Sequence, residues 1–197
     1  MKTILSSIFY LFIIVSTCAQ KKSESNEHMT FKGVPIDGTL NEFVSKMKNS
    51  GFNHVGVENG IGILKGDFAG YKGCVVGVAT LKQKDLVSKI TVIFPKSDTW
   101  SSLSSDYFYL KELLTEKYGE QSEVVEKFDT RTEPRDDNSK MYEVKMDRCK
   151  YYTTYETEKG SIQLSIDHEG VISSYVTLSY FDKINGKIIR EKAKRDL

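Results

Sequence analysis

The chain has 197 residues, and its 28 Lys and Arg residues nearly balance its 27 Asp and Glu residues, which leaves a net charge of +1. A nucleic-acid-binding protein usually carries a strong basic excess, so this balance excludes nucleic acid as the expected partner. Hydrophobic residues make up 39% and charged residues 28%, which is typical of a globular domain and not of a disordered chain.

The N-terminal 19 residues have the pattern of a signal peptide. Lys2 is followed by an almost unbroken apolar run over residues 4–15, and Lys21 and Lys22 follow that run. A membrane-spanning helix needs about 20 apolar residues, so the run is too short to be one. The pattern predicts a signal peptide over residues 1–19 and export to the periplasm or the cell surface. The polar residues 20–30 are predicted to form a flexible linker.

Two routes of processing remain open. Thr17 and Ala19 are small residues at positions −3 and −1 of a cut before Gln20, as signal peptidase requires. Alternatively, the stretch VSTC ending at Cys18 resembles the bacterial lipobox, in which the cysteine is lipidated and becomes the first residue. Neither route leaves a transmembrane helix in the mature protein.

The first half of the remaining chain is predicted to form one helix and four strands. Thr39 and Glu42 form a T-x-x-E capping box, and Gly51 supplies the helix end. Between them, apolar residues recur with helical spacing: Leu40, Phe43, Val44 and Met47. Strand patterns follow over residues 54–58, 61–68, 74–81 and 89–94.

The second half is predicted to repeat this order. A helix is expected over residues 101–118, with Gly119 ending it. A charged segment over residues 129–139 is predicted to be a loop, and residues 186–197 a basic tail. The predicted strands are 124–128, 142–157, 161–168 and 175–182.

The two similar halves predict an α+β fold built as a tandem repeat of one helix plus an antiparallel sheet of about four strands. The predicted domain covers residues 31–185, with halves 31–96 and 97–185. The closing strands read KITVIFPK and YVTLSYFDK, a likeness that supports an internal duplication. The helices are expected to cover one face of the sheet.

Several short stretches resemble a group of uncharacterised exported proteins of Bacteroides-type bacteria. They are FKGVPIDG at residues 31–38 with the helix that follows, LKG and FAGY at residues 64–71, and LK with KYG at residues 110–119. This resemblance implies no activity. The plan of two helix-plus-four-strand units also resembles the fold of the β-lactamase inhibitor protein and of some small outer-membrane assembly lipoproteins, which carries an expectation about architecture alone.

No residue constellation typical of catalysis, metal binding or cofactor binding stands out. His28, His54 and His168 lack the spacing of metal ligands and are expected at the surface or in loops. Asp147 and Asp167 are carboxylates that a hydrolase could use, but nothing in the sequence pairs them. We therefore predict no catalytic residue, no metal and no cofactor.

Cys74 and Cys149 remain after the N-terminal segment is set aside. In an oxidising compartment an even pair of cysteines is a candidate disulfide. The alternative is two buried free thiols, because cysteine is among the residues most often buried.

Aromatic residues are the best candidates for a binding site. Tyr151 and Tyr155 share one face of a predicted strand, Tyr152 lies on the other, and Trp100 precedes the second helix. Tyrosine is enriched at interfaces, so we predict Trp100, Tyr151 and Tyr155 as binding residues. The alternative interpretation is that these rings belong to the core and the half-buried sheet surface.

These observations favour a secreted or lipid-anchored, non-catalytic module that binds a protein or a glycan. The alternative is a structural or assembly lipoprotein of the cell envelope, and a hydrolase is the third hypothesis. The predicted contact with a membrane is limited to the lipid that Cys18 would carry.

Overall fold

The computed structural model describes residues 27–81 and 84–195. These residues form four helices: α1 (Leu40–Asn49), α2 (Trp100–Tyr118), α3 (Asp137–Lys145) and α4 (Lys183–Arg195). They also form ten strands: β1 (Thr30–Phe31), β2 (Val34–Pro35), β3 (Asn53–Glu58), β4 (Ile61–Phe68), β5 (Tyr71–Leu81), β6 (Lys84–Ile93), β7 (Glu123–Phe128), β8 (Cys149–Glu156), β9 (Gly160–Glu169) and β10 (Ser173–Asp182).

Eight of the strands form one antiparallel sheet in the order β3-β4-β5-β6-β10-β9-β8-β7. Two four-strand meanders thus lie side by side and are joined through their last strands, where Ser179 of β10 pairs with Thr91 of β6. The strands β1 and β2 form a separate two-stranded ladder. The predicted α+β class with an antiparallel sheet is confirmed.

One face of the large sheet is covered and holds the hydrophobic core. The helices α1, α2 and α3 turn their buried side chains, such as Phe43, Leu110 and Val144, toward the sheet. The sheet contributes apolar side chains from alternate positions of its central strands. These include Leu64, Val76, Ile90, Val92, Ile162, Leu164 and Leu178, all fully or almost fully buried.

The predicted helix boundaries rest on caps that the structure contains. Thr39 Oγ1 accepts a hydrogen bond from the Glu42 N–H at 3.3 Å, and the Glu42 carboxylate accepts one from the Thr39 N–H at 2.8 Å. Gly51 follows α1 and Gly119 follows α2, with φ angles of +90° and +84°. Glycine adopts this left-handed backbone without the steric penalty of a side chain, so both helices end where predicted.

The strand predicted over residues 142–157 is wrong in its first part, because α3 occupies residues that include Tyr142. Asp136 caps this helix by accepting from the Ser139 N–H at 2.9 Å. Met141 and Val144, three residues apart, pack into the core. The end of the predicted charged loop is therefore the start of a short helix, and β8 begins only at Cys149.

Parts of the predicted linker over residues 20–30 and of the predicted basic tail over residues 186–197 are folded. Met29 is buried and its N–H donates to the Asp182 carboxylate at 2.7 Å, so the end of the predicted 20–30 linker belongs to the folded domain. Most of the predicted basic tail is the helix α4, whose Asn185 N–H also donates to Asp182, at 2.8 Å. The predicted signal peptide and Cys18 lie outside the described residues.

Candidate binding face

The three aromatic residues predicted to bind a partner lie on the covered face, Tyr151 and Tyr155 beneath α2 and Trp100 at its start. Trp100 is the first residue of α2, and its ring centroid lies 5.1 Å from that of Tyr151. Trp100 is 8% exposed, Tyr155 is fully buried and Tyr151 is partly buried. This burial opposes the predicted binding role of the three rings, because their surfaces already pack against the core.

The hydroxyl groups beneath α2 are also used internally. Tyr155 donates to the Lys111 carbonyl at 2.9 Å, and the Tyr107 oxygen lies 2.6 Å from Thr153 Oγ1. Burial raises the pKa of both Tyr107 and Tyr151 above the usual tyrosine value. The hydroxyls of Tyr107 and Tyr155 are thus bonded to the fold itself.

The candidate disulfide between Cys74 and Cys149 is wrong, and both are free buried thiols. Cys74 lies in β5 and Cys149 in β8, and three strands separate these two in the sheet. Neighbouring strands are about 4.8 Å apart, so the two residues are separated by roughly 19 Å. Disulfides require Cα atoms within about 7 Å. Burial raises the pKa of Cys74, and it raises that of Cys149 to about 12.

The carboxylates considered for a hydrolase lie near one another at the surface. Asp147 pairs with Lys150 at 3.0 Å and lies 3.9 Å from His168, and the Lys150 hydrogen bond lowers the pKa of Asp147. Asp167 accepts from the His168 N–H at 2.8 Å. Asp147 is 77% exposed, so its contacts with Lys150 and His168 are surface ion pairs, and Asp167 takes no part in them. Within residues 27–81 and 84–195, no three His, Cys, Asp or Glu side chains are placed to hold a metal ion.

His28 lies in the loop before β1, and its ring contacts two carboxylates. Its Nδ1 atom lies 3.1 Å from the buried Asp182 carboxylate, and its Nε2 atom lies 3.4 Å from Asp37. Asn185 hydrogen-bonds to Asp37 and to two backbone carbonyls in the same cluster. The cluster fastens the start of the domain to the start of α4, and each of its polar groups has a partner.

The helices α1, α2 and α3 leave the opposite face of the sheet uncovered, and we call it the open face. In the described parts of the chain, α1–α3 bury their apolar residues against the other face, and the one buried residue of α4 is Asn185. The open face carries the alternate side chains of the strands, most of them partly exposed. From β4 to β8 they include Ile61, Ile63, Val75, Ile93, Thr91, Ser179, Thr177, Ser165, Gln163 and Tyr152.

Hydroxyl groups occupy the centre of the open face. Thr91 and Ser179 pair across β6 and β10 with 3.0 Å between their oxygens, and Ser165 and Thr177 pair across β9 and β10 at 2.8 Å. Each hydroxyl can donate once and accept twice, so a single bond leaves further capacity. Ser179 and Thr177 are 8% and 7% exposed, so a ligand would reach these pairs through the partly exposed Thr91 and Ser165.

An aliphatic patch adjoins these hydroxyls on β4, β5 and β6. Ile61 is 39% exposed, and a Cβ atom at Gly77 would stand 3.4 Å from the Ile61 Cγ2 atom, so Ile61 lies over the glycine. Ile63, Val75 and Ile93 surround this position and are partly exposed. The open face thus combines apolar and hydrogen-bonding surface on rigid central strands.

Sequence reasoning missed this face because serine, threonine and isoleucine carry no motif. A signal was nevertheless present in β9, where Ser161, Gln163 and Ser165 alternate with buried Ile162 and Leu164. Such alternation identifies a half-exposed strand.

No family model, no curated protein and no solved structure matches this chain. In the part of the chain that the structure describes, no helix is both long and apolar enough to cross a membrane.

Proposed function

We propose that this chain is an exported binding module and that its open face binds another protein. The observation that carries this proposal is the uncovered sheet face, on which aliphatic side chains adjoin a ladder of hydroxyls. Protein interfaces combine an apolar centre with hydrogen bonds in similar proportions. Central strands move little, so such a surface binds with a small loss of conformational entropy.

A protein fits this face better than a glycan, which was the other predicted ligand. The apolar surface consists of branched aliphatic side chains such as Ile61 and Ile63, which suit the side chains of a partner's interface core. Of the aromatic residues predicted to bind, Trp100 and Tyr155 are buried, and the rings on the open face, Tyr152, Tyr175 and Phe181, are each partly buried.

Site-specific photocrosslinking in native cells tests the proposal. A photoreactive phenylalanine analogue at Ile63 places the probe on the open face, and the same analogue at Phe108, which is 46% exposed on α2, is the matched control. We expect a defined crosslinked protein from position 63 and none from position 108. Absence of any product at 63, or the same products at both positions, contradicts the proposal.

Export is a second part of the proposal and rests on residues 1–19 of the sequence. Mass spectrometry of the mature N-terminus distinguishes the two routes. An N-terminal Gln20 indicates a released product, whereas a diacylated Cys18 indicates a lipoprotein. Recovery of the intact N-terminus from the cytosol would falsify export altogether.

We also propose that the two halves of the domain arose by duplication. The supporting observations are the likeness of the closing strands KITVIFPK and YVTLSYFDK and the adjacency of β6 and β10 at the sheet centre. The second half differs because it inserts α3 between β7 and β8. Superposing the halves in an experimental structure tests this, and a mismatch in strand register opposes it.

A structural or assembly role is the second candidate function, and the edge strand β3 favours it. Val55 and Val57 are 66% and 58% exposed on a strand that pairs with β4 alone. Unprotected edge strands readily pair with a strand of another chain. The same photoreactive analogue at Val57 is expected to yield crosslinks only if this edge is used for assembly.

A further inference from the structure

The helix α4 concentrates positive charge on one corner of the molecule. Its sequence, KINGKIIREKAKR, holds six basic residues and one acidic residue, Glu191. The whole chain carries a net charge of only +1, so the remainder of the protein is net acidic. A local excess of this size attracts anions even when the overall charge is near zero.

A cleft of about 500 Å³ lies between α4 and the ends of β8, β9 and β10. Lys187, Arg190 and Lys194 line it together with Phe181. Its volume is within the range of small-ligand sites.

The acidic side chains at the cleft are largely committed to other contacts. The Asp182 carboxylate accepts from the Met29 and Asn185 N–H groups and faces His28. Glu191 pairs with Lys194 at 2.9 Å on the exposed side of the helix. Glu156 also lines the cleft, where it is exposed. The lining of the cleft thus holds four basic side chains, Lys183, Lys187, Arg190 and Lys194, against the three carboxylates of Asp182, Glu191 and Glu156.

The polypeptide enters the domain at this same corner. Glu27 forms an ion pair with Lys159, next to Gly160 of the cleft, and Met29 is bound to Asp182 at the start of α4. The segment that precedes Glu27 contains the apolar run and Cys18. The nine residue steps from Cys18 to Glu27 span at most about 30 Å. Any membrane attachment through that segment holds α4 close to the bilayer.

We propose that the α4 cleft binds the phosphate groups of anionic lipid headgroups, so that α4 faces a membrane surface. Lys187, Arg190 and Lys194 supply the cationic contacts. Ile188 and Ile189 are each 38% exposed on the other sides of α4, so the helix also offers apolar surface outside the cleft. This contact is additional to the partner on the open face and does not depend on it.

Vesicle sedimentation of the full chain tests the proposal, with phosphatidylcholine vesicles that contain or lack phosphatidylglycerol. The ratio of the two partition coefficients is the readout, since the N-terminal apolar run contributes equally to both. We expect a ratio of roughly tenfold or more, because each Lys or Arg near an anionic surface adds a several-fold preference. The ratio should fall toward one in the triple variant K187E/R190E/K194E and when salt is raised.

The matched control is K46E/K48E/K72E, which reverses the same number of exposed charges on α1 and at the β4–β5 turn, outside the lining of the cleft. This control is expected to keep the wild-type ratio of partition coefficients. A neutral variant, K187Q/R190Q/K194Q, removes the three charges without introducing negative ones, so it keeps the test valid even if the charge reversal unfolds α4. It should give a ratio between those of the wild type and of the charge-reversed variant. Equal partition of the wild type into both vesicles, or an equal loss in the control, overturns the proposal.

Discussion

The two faces of the sheet show how little a residue's type says about its role. On β8, Tyr155 is fully buried under α2, whereas Tyr152, three positions earlier, lies on the open face and donates to Glu123 at 2.9 Å. The covered face is built from large apolar and aromatic side chains, whereas the open face mixes hydroxyls, half-exposed isoleucines and a few partly exposed rings such as Tyr152 and Phe181. The position within the strand decides whether a tyrosine stabilises the core or contacts solvent.

Removing an aromatic ring should therefore have very different effects on the two faces. Tyr155→Ala is expected to cost about 3–5 kcal/mol of unfolding free energy, because it leaves a cavity among packed residues. Tyr152→Ala should cost less than about 1 kcal/mol. Urea denaturation followed by the fluorescence of Trp100, the single tryptophan, measures both. Similar losses for the two variants would mean that the faces are assigned incorrectly.

A smaller change on the covered face sharpens the comparison. Tyr107→Phe removes the hydrogen-bond partner of Thr153, a residue with no exposed surface. Leaving a buried hydroxyl unpaired costs about 1–3 kcal/mol, so we expect a loss in that range. Tyr109→Phe on the same helix is the control, since Tyr109 is 49% exposed and should change stability little. A neutral Tyr107→Phe would show that water replaces the phenol.

The buried thiols predict a dependence on pH. The folded pKa of Cys149 is raised to about 12 by burial, so the folded state keeps a proton that the unfolded state loses above about pH 9. Stability is therefore complete below the unfolded pKa and falls as pH rises through it, by about 1 kcal/mol between pH 8 and pH 10. The unfolding free energy of the Cys149→Ala variant should fall less steeply between pH 8 and pH 10. A stability curve that is flat for the wild type contradicts this account.

The smallest effect is expected at the centre of the open face. Gln163→Ala should change the unfolding free energy by no more than about 0.5 kcal/mol, because Gln163 is partly exposed. Its neighbour Leu164 lies on the covered face without exposed surface, and Leu164→Ala should cost about 2–5 kcal/mol. Thermal unfolding of the Gln163→Ala and Leu164→Ala variants measures both losses. A large loss of unfolding free energy in Gln163→Ala would indicate that another part of the molecule covers the open face.

Local signals account for the parts of the fold that the sequence predicts well. The capping box at Thr39 and the glycines after α1 and α2 act within a few residues, so they can be read without knowing the fold. The helix α3 escaped prediction because two buried residues, Met141 and Val144, in a polar stretch give almost no helical periodicity. The helix α4 looks like a charged tail because its anchors, Asp182 and Asn185, are tertiary contacts.

The candidate site depends on information that is not local. The pairing of β6 with β10 brings Thr91 to Ser179, 88 positions away in the chain. Alternation identifies the two faces of a strand, but not which of them the helices will cover. Aromatic content led to Trp100 and Tyr151 because large rings are common both in interfaces and in cores. Only the packing of α2 against the sheet shows that these rings belong to the core and not to an interface.

The junction at Asp182 has a mechanical consequence. Asp182 is the last residue of the central strand β10, and its carboxylate accepts hydrogen bonds from Met29, near the entry of the chain, and from Asn185 in the first turn of α4. Tension on the N-terminal segment would therefore reach the sheet at β10, which hydrogen-bonds to β6 and β9 along its length. A domain held by its N-terminus is therefore loaded at a strand with neighbours on both sides and not at an edge strand.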